Sequence, residues 1–386
     1  MKIFRFCVVL FLSSAFAAPC VTLAAPLSIV TTSSQPVIQE SYERAIVEKH
    51  ELTTQTINHQ VTQIDRYHIR FLSGPFDNQV KTISGEIDSN PYGLHLAQGD
   101  KVVVFVQVDG NGQANFFIEG FDRRGAIIWL TILFVAMLVV LAGWQGAKVA
   151  ASIGISLLLI GFVLIPSFLK GLNPVPIAII LSGLFTLIST GFANGWNRRT
   201  LVTVIGTMGG AMVAYGVAHV FASWAHLSGL SSEEDRLFFD KNPSLNPTGL
   251  LFAGIIIASA GIVEDVAVSI VSGVSEVSRA KPHASFRELF SSGMTVGRDH
   301  MSALANTLVF AYVGSSLSSL LLYQQFKSSW LKFINFDTVV DEIIRSLAGT
   351  IGLIFTVPIT ALLAAWVIHR YGVGQGSDHT HAHSHY

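Results

Sequence analysis

Residues 250–277 read LLFAGIIIASAGIVEDVAVSIVSGVSEV, an apolar run that contains two adjacent carboxylates, Glu264 and Asp265. A run of about 28 residues is roughly 42 Å long as a helix, at 1.5 Å per residue. The hydrocarbon core of a bilayer is about 30 Å thick and needs about 20 helical residues. The stretch therefore predicts a transmembrane helix, with either carboxylate near the middle of the membrane or nearer its cytoplasmic side.

Similar apolar runs recur around this stretch. Seven runs of spanning length follow residue 125, at 126–144, 147–168, 174–194, 200–224, 249–276, 301–323 and 345–368. The chain has a mean hydropathy of +0.53 and only 13% charged residues, whereas soluble proteins average about 25%. These features predict a polytopic α-helical membrane protein with about seven transmembrane helices, and they argue against a soluble enzyme.

The first 25 residues are typical of a signal peptide. Lys2 and Arg5 precede a short apolar segment, and small residues offer cleavage sites after Ala17 or Ala24. An uncleaved anchor helix is the alternative interpretation of residues 1–25. Both interpretations predict that the following segment is exported.

Residues 26–122 are polar enough for water and are predicted to form a small β-rich extracytoplasmic domain. Tyr67, Ile69 and Phe71 alternate with polar residues, and the segment 109–112, Asp-Gly-Asn-Gly, is a hairpin turn signal. The pattern predicts a barrel or sandwich of about five or six strands. A partner-binding role and a purely structural role both fit such a domain.

The rest of the chain divides into a transmembrane domain at 123–371 and a His-rich tail at 372–386, while the charged stretch 37–51 is interpreted as a helix or a linker. With an exported N-terminus, seven crossings leave the tail in the cytoplasm. Cytoplasmic loops carry an excess of basic residues. The predicted cytoplasmic loops are basic in this way, with Lys148, Arg198, Arg199, Arg279, Lys281 and Arg287. Four basic residues on the predicted outer side weaken the asymmetry: Arg123, Arg124, Lys327 and Lys332.

The tail offers the sequence's metal-binding pattern, with histidines at alternate positions: His379, His381, His383 and His385. Such a tract binds Zn²⁺, Ni²⁺ or Cu²⁺ loosely. The alternative is a disordered, solvated tail. The two cysteines, Cys7 and Cys20, provide neither a disulfide framework nor metal-ligand spacing.

Spacing along the 250–277 helix favours Asp265 as a functional carboxylate. Ser269, Ser272 and Glu276 follow Asp265 by four, seven and eleven residues, so all four share one helix face. A polar face is not stable against lipid, so we expect it to meet a cavity or other helices. A carboxylate at the membrane centre costs about 2.5–3.5 kcal/mol on insertion scales and is typical of an ion or proton pathway. A packing face bonded to neighbouring helices is the alternative.

Glu264 is the other carboxylate candidate. It points about 100° away from Asp265, the rotation of one residue at 3.6 residues per turn. Its neighbours after four and seven residues are Val268 and Val271, and only Ser275 after eleven is polar. This spacing places Asp265 ahead of Glu264 as the pathway residue.

The stretch 284–323 contains the next polar candidates. Asp299 lies where the sixth span is predicted to begin, and Asn306 and Thr307 lie about two turns deeper. Such residues on a span next to Asp265 suit a proton or cation pathway. Helix N-terminal capping by Asp299 and ordinary helix packing are the alternatives.

The remaining sequence motifs indicate helix packing and provide no signature of an enzyme or of a nucleic-acid-binding protein. Gly206 and Gly210 form a Gly-x-x-x-Gly pair that predicts close helix packing. The chain has no His-Glu-x-x-His motif, no Gly-x-Ser-x-Gly motif and no Walker loop. Its net charge of −1 gives no footprint for nucleic acid. We therefore expect no enzymatic activity, no cofactor and no nucleic-acid partner.

Five short motifs carry a resemblance to a known family: Gly261-Ile-Val-Glu-Asp265-Val-Ala267, Ser292-Gly-Met294, Gly297-Arg-Asp299, Asn306-Thr-Leu308 and Ala311-Tyr-Val-Gly314. With them, residues 60–370 resemble the YibE/F-like family of bacterial membrane proteins. At Glu264 that family more often has an apolar residue. The resemblance implies a multi-span permease with an exported N-terminal region, located in the bacterial cytoplasmic (inner) membrane.

A second likeness is local. The block 261–314 is similar in layout to the proton-driven SecD/SecF export subunits and to resistance-nodulation-division transporters. The positions that would match are Gly261, Asp265, Glu276, Gly293, Asp299 and Thr307. As an analogy, it implies coupling to protons.

Two function classes remain open at this point. One is an ion-coupled permease or export-type transporter that uses Asp265. The other is a non-transporting envelope scaffold or sensor whose exported β domain binds a partner. The expected partners are the lipid bilayer, an unknown small molecule or ion, and either a second copy of the chain or an envelope protein. An anchor needs only one or two spans, so seven spans favour transport.

Overall fold

The computed structural model describes residues 39–57, 60–86, 95–109, 112–325 and 329–372. The predicted signal peptide at 1–25 lies outside these residues, as do the tail histidines His379, His381, His383 and His385. The chain divides into two compact units, 1–129 and 130–386, which are described separately.

The first unit is built on one antiparallel sheet. Its described strands are β1 (Gln39–Ile57), β2 (Gln60–Phe71), β3 (Val80–Glu86), β4 (Lys101–Val108) and β5 (Ala114–Phe121). Their order across the sheet is β3-β2-β1-β4-β5, so the long strand β1 pairs with both β2 and β4.

Buried and exposed side chains alternate along the strands, so one face of the sheet covers the core. Val102, Val104 and Val106 of β4 are buried on one face, because successive side chains of a strand point to opposite sides. The ring of Phe116 in β5 lies 5.4 Å from that of Phe71 in β2, and the edge strands β3 and β5 contact each other. The sheet therefore curls around its core as half of a barrel.

Residues 39–51 belong to β1, so the interpretation of the stretch 37–51 as a helix or a linker is wrong for them. Ala45 and Val47 are buried against the core. Charged residues alternate with them on the other face, where Glu48 pairs with Arg70 of β2 at 2.5 Å. Most charged residues of this stretch are exposed or half-buried, whereas Glu43 is buried beside Ala45 and accepts a hydrogen bond from the Ser73 hydroxyl.

The second unit is helical. Its first helix begins at Arg124, before the boundary of the two units at residues 129 and 130. The described helices are α1 (Arg124–Leu159), α2 (Ile165–Leu169), α3 (Pro174–Asn194), α4 (Arg198–Trp224), α5 (Glu233–Lys241), α6 (Pro247–Ala280), α7 (Phe286–Ser315), α8 (Leu317–Gln325), α9 (Trp330–Ile334) and α10 (Asp337–Tyr371). A π-helical turn at Ile160–Leu164 joins α1 to α2.

Among the described residues, five segments are long and apolar enough to cross a membrane: Arg124–Leu169, α3, α4, α6 and α10. The count of seven spans stays a prediction. The runs 126–144 and 147–168, predicted as separate spans, both lie within Arg124–Leu169. Gly143, near the end of the first predicted run, interrupts that segment with a non-helical backbone, at φ 57° and ψ −134°.

Helix α6 is at the centre of the bundle and packs against α3, α4, α7 and α10. Val263, Ile270 and Val274 on its inner side are buried, together with Val357 of α10. Between membrane helices such contacts stabilise through van der Waals packing, since lipid tails are as apolar as the side chains.

Helices α4 and α10 approach each other closely at two glycines of α4. Gly206 lies against Thr360, and Gly210 lies against Thr356 and the carbonyl of Gly352. The Gly-x-x-x-Gly pair is therefore part of the α4–α10 contact.

The polar helix α7 begins at Phe286, well before the predicted sixth span at 301–323. Ser285 is its N-cap: the Ser285 hydroxyl accepts from the Glu288 amide, and the Glu288 carboxylate accepts from the Ser285 amide. This reciprocal pair is a capping box. Asp299 therefore lies in the middle of the helix, and the interpretation of Asp299 as an N-terminal cap is wrong.

Candidate functional site

Glu264 faces α3, inside the helix bundle. Its carboxylate oxygen accepts a hydrogen bond from the Thr190 hydroxyl at 3.3 Å. The hydroxyls of Thr186 and Ser189 also lie within hydrogen-bonding reach of this carboxylate. Thr186 and Thr190 are buried and Glu264 is half-buried. One carboxylate is thus surrounded by three hydroxyls between two segments long enough to cross a membrane.

The spacing of the two helices produces this arrangement. Thr186, Ser189 and Thr190 are three and four residues apart, so they share one face of α3. On α6, Val263 lies against Gly210 of α4. One residue further rotates the side chain by about 100°, which turns Glu264 from α4 toward α3.

The chemistry of the cluster suits a proton or a hard cation. An ionised carboxylate only accepts hydrogen bonds, whereas a protonated one also donates. Hydroxyl and carboxylate oxygens are also ligands for hard cations. Within the described ranges, no group of three or more His, Cys, Asp or Glu side chains is arranged to hold a metal ion.

Asp265 lies on the outer face of α6, and with it Ser269, Ser272 and Glu276. Asp265, Ser272 and Glu276 are exposed. The Ser269 hydroxyl donates to the backbone carbonyl of Asp265 at 2.8 Å, and Glu276 pairs with Arg279 at 2.9 Å. The structure therefore keeps the predicted stripe on one face but separates it from Glu264 and from the bundle interior.

Asp299, Asn306 and Thr307 are exposed on α7. The Thr307 hydroxyl donates to the carbonyl of Ala303 at 3.1 Å. None of the three lies in the α3–α6 cluster around Glu264. The structure therefore separates the residues predicted for one pathway into an inner carboxylate and an outer polar surface.

A second charged cluster, which the sequence reasoning missed, lies near the start of α10. Arg345 pairs with the buried Asp341 at 3.2 Å and approaches Glu342 at 3.9 Å. The Ser231 hydroxyl donates to Asp341 at 3.0 Å, and the hydroxyls of Ser315 and Ser316 lie within reach of Glu342. The cluster thus joins α10 to the loop before α5 and to the end of α7.

A polar cleft of about 350 Å³ lies beside this cluster, lined by residues that include Ser231, Glu233, Arg236, Asp337 and Thr338. The signal for the cluster was present in the sequence, because Asp341 and Arg345 have the four-residue spacing of a helical ion pair. The predicted span began at residue 345, which placed Arg345 at its boundary and left Asp341 outside it.

Charged groups outside the spanning segments have their own stabilising contacts. Lys281 and the Ser285 backbone amide hold the pKa of Glu288 at about 2, below its ordinary value of 4.5. The Arg124 side chain donates to Asp122 and lowers the pKa of that carboxyl to about 2. These pairs stabilise the ends of α7 and α1.

A family model described as YibE/F-like protein matches residues 130–370. This range contains Glu264, the outer face of α6, the polar residues of α7 and the Arg345 cluster. No curated protein and no solved structure matches the chain.

Proposed function

The chain belongs to the YibE/F-like family, and from this premise we propose that it is an ion-coupled permease or export-type transporter in which Glu264 carries the coupling ion. The supporting observation is the hydrogen bond that the Thr190 hydroxyl donates to Glu264 between α3 and α6, with the hydroxyls of Thr186 and Ser189 nearby. The proposal assigns to Glu264 the role that spacing alone favoured for Asp265.

The coupling follows from hydrogen-bond chemistry. The ionised carboxylate of Glu264 accepts from the surrounding hydroxyls. After protonation it becomes a donor, so at least one hydroxyl must change partner. A change of partners across the α3–α6 contact gives the two protonation states different helix arrangements. A proton gradient biases such arrangements only through this difference in free energy.

The proposal includes a location. The chain would lie in the bacterial inner membrane, with the β domain extracytoplasmic and the C-terminus cytoplasmic. Support comes from the family, the membrane-span-like helices and the basic residues of the predicted cytoplasmic loops. Reporter fusions at Gly112 and Gly376 test the orientation: alkaline phosphatase activity is expected at Gly112 and not at Gly376.

The test of function starts from a deletion phenotype screened against metals, drugs and envelope stress. Glu264→Gln keeps the shape of the side chain but cannot exchange a proton, so it is expected to accumulate normally and to fail to complement. Asp265→Asn is the matched control and is expected to complement. Full complementation by Glu264→Gln at normal abundance would contradict the proposal.

A second candidate function, a scaffold or sensor, is favoured by a row of aromatic side chains on the outer face of the sheet. Tyr42 of β1, Phe105 of β4 and Phe117 of β5 lie side by side, with ring centroids 5.1 and 6.3 Å apart. Tyr42 is 65% exposed and Phe117 is 52% exposed. Exposed aromatic side chains in a continuous row are typical of interaction surfaces.

The same complementation assay separates the two functions. The transporter proposal expects the double variant Tyr42→Ser/Phe117→Ser to retain more activity than Glu264→Gln. The reverse ranking, with normal abundance of both variants, would favour the scaffold or sensor.

A further inference from the structure

The outer face of α6 differs from the other exposed faces of the bundle. Its exposed residues are Gly261, Asp265, Ser272 and Glu276, and an added Cβ at Gly261 would meet no atom within 4 Å. The exposed faces of α4 and α10 instead present large apolar side chains, such as Leu201, Ile205, Val220, Ile354, Phe355 and Leu362. Those faces suit lipid, and the outer face of α6 does not.

Helix α7 extends this polar surface. α6 and α7 are antiparallel, with Gly273 against Val296 and Ile270 against Gly297. Arg298 therefore lies level with Ser269, one turn from Asp265. The exposed residues Arg298, Asp299, Ser302 and Asn306 of α7 lie at the depth of the middle of α6.

Three charges on this surface have no ion-pair partner in the part of the chain that the structure describes. Among the residues that the structure describes, Asp265, Arg298 and Asp299 form no ion pair, whereas Glu276 pairs with Arg279. Charged side chains at this depth are costly against lipid and lie almost always against protein or water. The long apolar segment Arg124–Leu169 has one charged side chain after Arg124, Lys148, and within the described residues Lys148 forms no ion pair with Asp265 or Asp299.

We propose that a second copy of this chain covers the α6–α7 face. Copies inserted in the same orientation are related by a two-fold axis along the membrane normal, so each residue of the partner lies at the same depth as in the first copy. Arg298 of one copy then lies about one turn, about 5.4 Å, from the level of the partner's carboxylate at position 265. An extended arginine side chain bridges that offset, and the two-fold repeats the pair.

The small residues on this face support the same occupant. Gly261, Ser269 and Ser272 lack bulky side chains, and small residues let membrane helices approach closely. A serine hydroxyl and an asparagine amide can each donate and accept hydrogen bonds. Two copies of the same surface can therefore satisfy these groups without a different partner protein. The proposal concerns assembly and does not depend on whether Glu264 couples transport.

Cysteine cross-linking in membranes tests this interface. Cys7 and Cys20 are the chain's two cysteines, so C7S/C20S gives a cysteine-free background. Ser272→Cys is expected to give a disulfide-linked band at twice the monomer mass on oxidation. Ile205→Cys, on an apolar exposed face, is the matched control and is expected to give none.

The other outcomes overturn the proposal. If Ser272→Cys gives no dimer but reacts with a water-soluble maleimide, the face lines an aqueous pathway. If it neither cross-links nor reacts, the face meets lipid or another protein. In the Ser272→Cys background, Arg298→Asp is expected to reduce the dimer band at least about tenfold, and Asp265→Arg added to Arg298→Asp is expected to restore it. Equal dimer bands in all of these variants would also overturn the assigned ion pair.

Discussion

The two faces of α6 place neighbouring carboxylates in different surroundings. Glu264 accepts from the Thr190 hydroxyl within the bundle, while Asp265 is exposed on the outer side. The two carboxylates differ by the rotation of one helical residue. This rotation places Glu264 beside the hydroxyls of α3 and places Asp265 on the exposed surface. A charge inside the bundle is therefore stabilised by hydrogen bonds from its own chain, whereas the stability of a charge on the outer face depends on whether lipid, water or protein contacts it.

The largest expected difference is in the free energy of unfolding lost when an arginine is replaced inside the bundle or on its outer face. Arg345→Met leaves the buried Asp341 without its cation. Breaking a buried pair costs about 3–5 kcal/mol, and the lower end applies here because Arg345 keeps 28% exposure. Arg298→Met on the outer face is expected to stay within about 0.5 kcal/mol. Unfolding of the two detergent-solubilised monomers measures this difference. Equal losses of unfolding free energy would contradict the expected difference between the two faces.

Glycine positions should show a smaller contrast. Gly210→Leu places a side chain against Thr356 and Val263, and overpacking of this kind costs about 1–3 kcal/mol. Gly261→Leu points into open space and is expected to leave the monomer's stability nearly unchanged. The thermal midpoints of the two variants in detergent report this contrast. A midpoint for Gly261→Leu as low as that for Gly210→Leu would mean that the outer face is packed within the monomer.

The hydroxyls near the two carboxylates give a further pair. Thr190→Val removes a donor to Glu264, and a hydrogen bond to a charged group contributes about 1.5–3 kcal/mol. Ser269→Ala removes a bond to a helical carbonyl and is expected to cost less than about 0.5 kcal/mol. Unfolding of both variants well above neutral pH, where a carboxyl group that titrates around neutral pH is ionised, measures the difference. Equal small costs would mean that Glu264 is not held by Thr190.

The smallest effect is expected at the connection between α6 and α7. The pKa of Glu288 is lowered to about 2 from 4.5 by Lys281 and Ser285. A lowered folded-state pKa stabilises the protein above the unfolded value, and this contribution is lost as pH falls through the folded value. Glu288→Gln should therefore lower the thermal midpoint slightly at pH 7. The difference from the parent should close as pH falls from 4.5 toward 2, and a difference that is constant with pH would contradict it.

Element positions were largely accessible from the sequence because apolar length and alternation are local signals. The run 174–194 matches α3, and 249–276 lies within α6. The start of α7 was missed because its first turns are polar, so hydropathy alone placed the span too late. The strand at 39–51 was missed because charged residues lie on both of its faces: Glu43 is buried together with Ala45 and Val47, so the apolar alternation is weak.

The candidate site was less accessible because it depends on contacts between distant parts of the chain. The partner of Glu264, Thr190, is 74 positions away, and the polar neighbour of Asp341, Ser231, is 110 positions away. A helical stripe shows which residues share a face but not which helix that face meets. This is why the stripe of Asp265, Ser269, Ser272 and Glu276 was recognised as a face, while its position outside the bundle was not.

The central claim is that Glu264 is the carboxyl group that binds and releases the coupling proton. Infrared difference spectroscopy of the protein in lipid nanodiscs, titrated around neutral pH, detects the carbonyl band of a protonated carboxyl group. If Glu264 has this role, a titrating band is expected that disappears in Glu264→Gln and persists in Asp265→Asn. A band that persists in Glu264→Gln and disappears in Asp265→Asn would contradict the account and return the function to the outer face of α6.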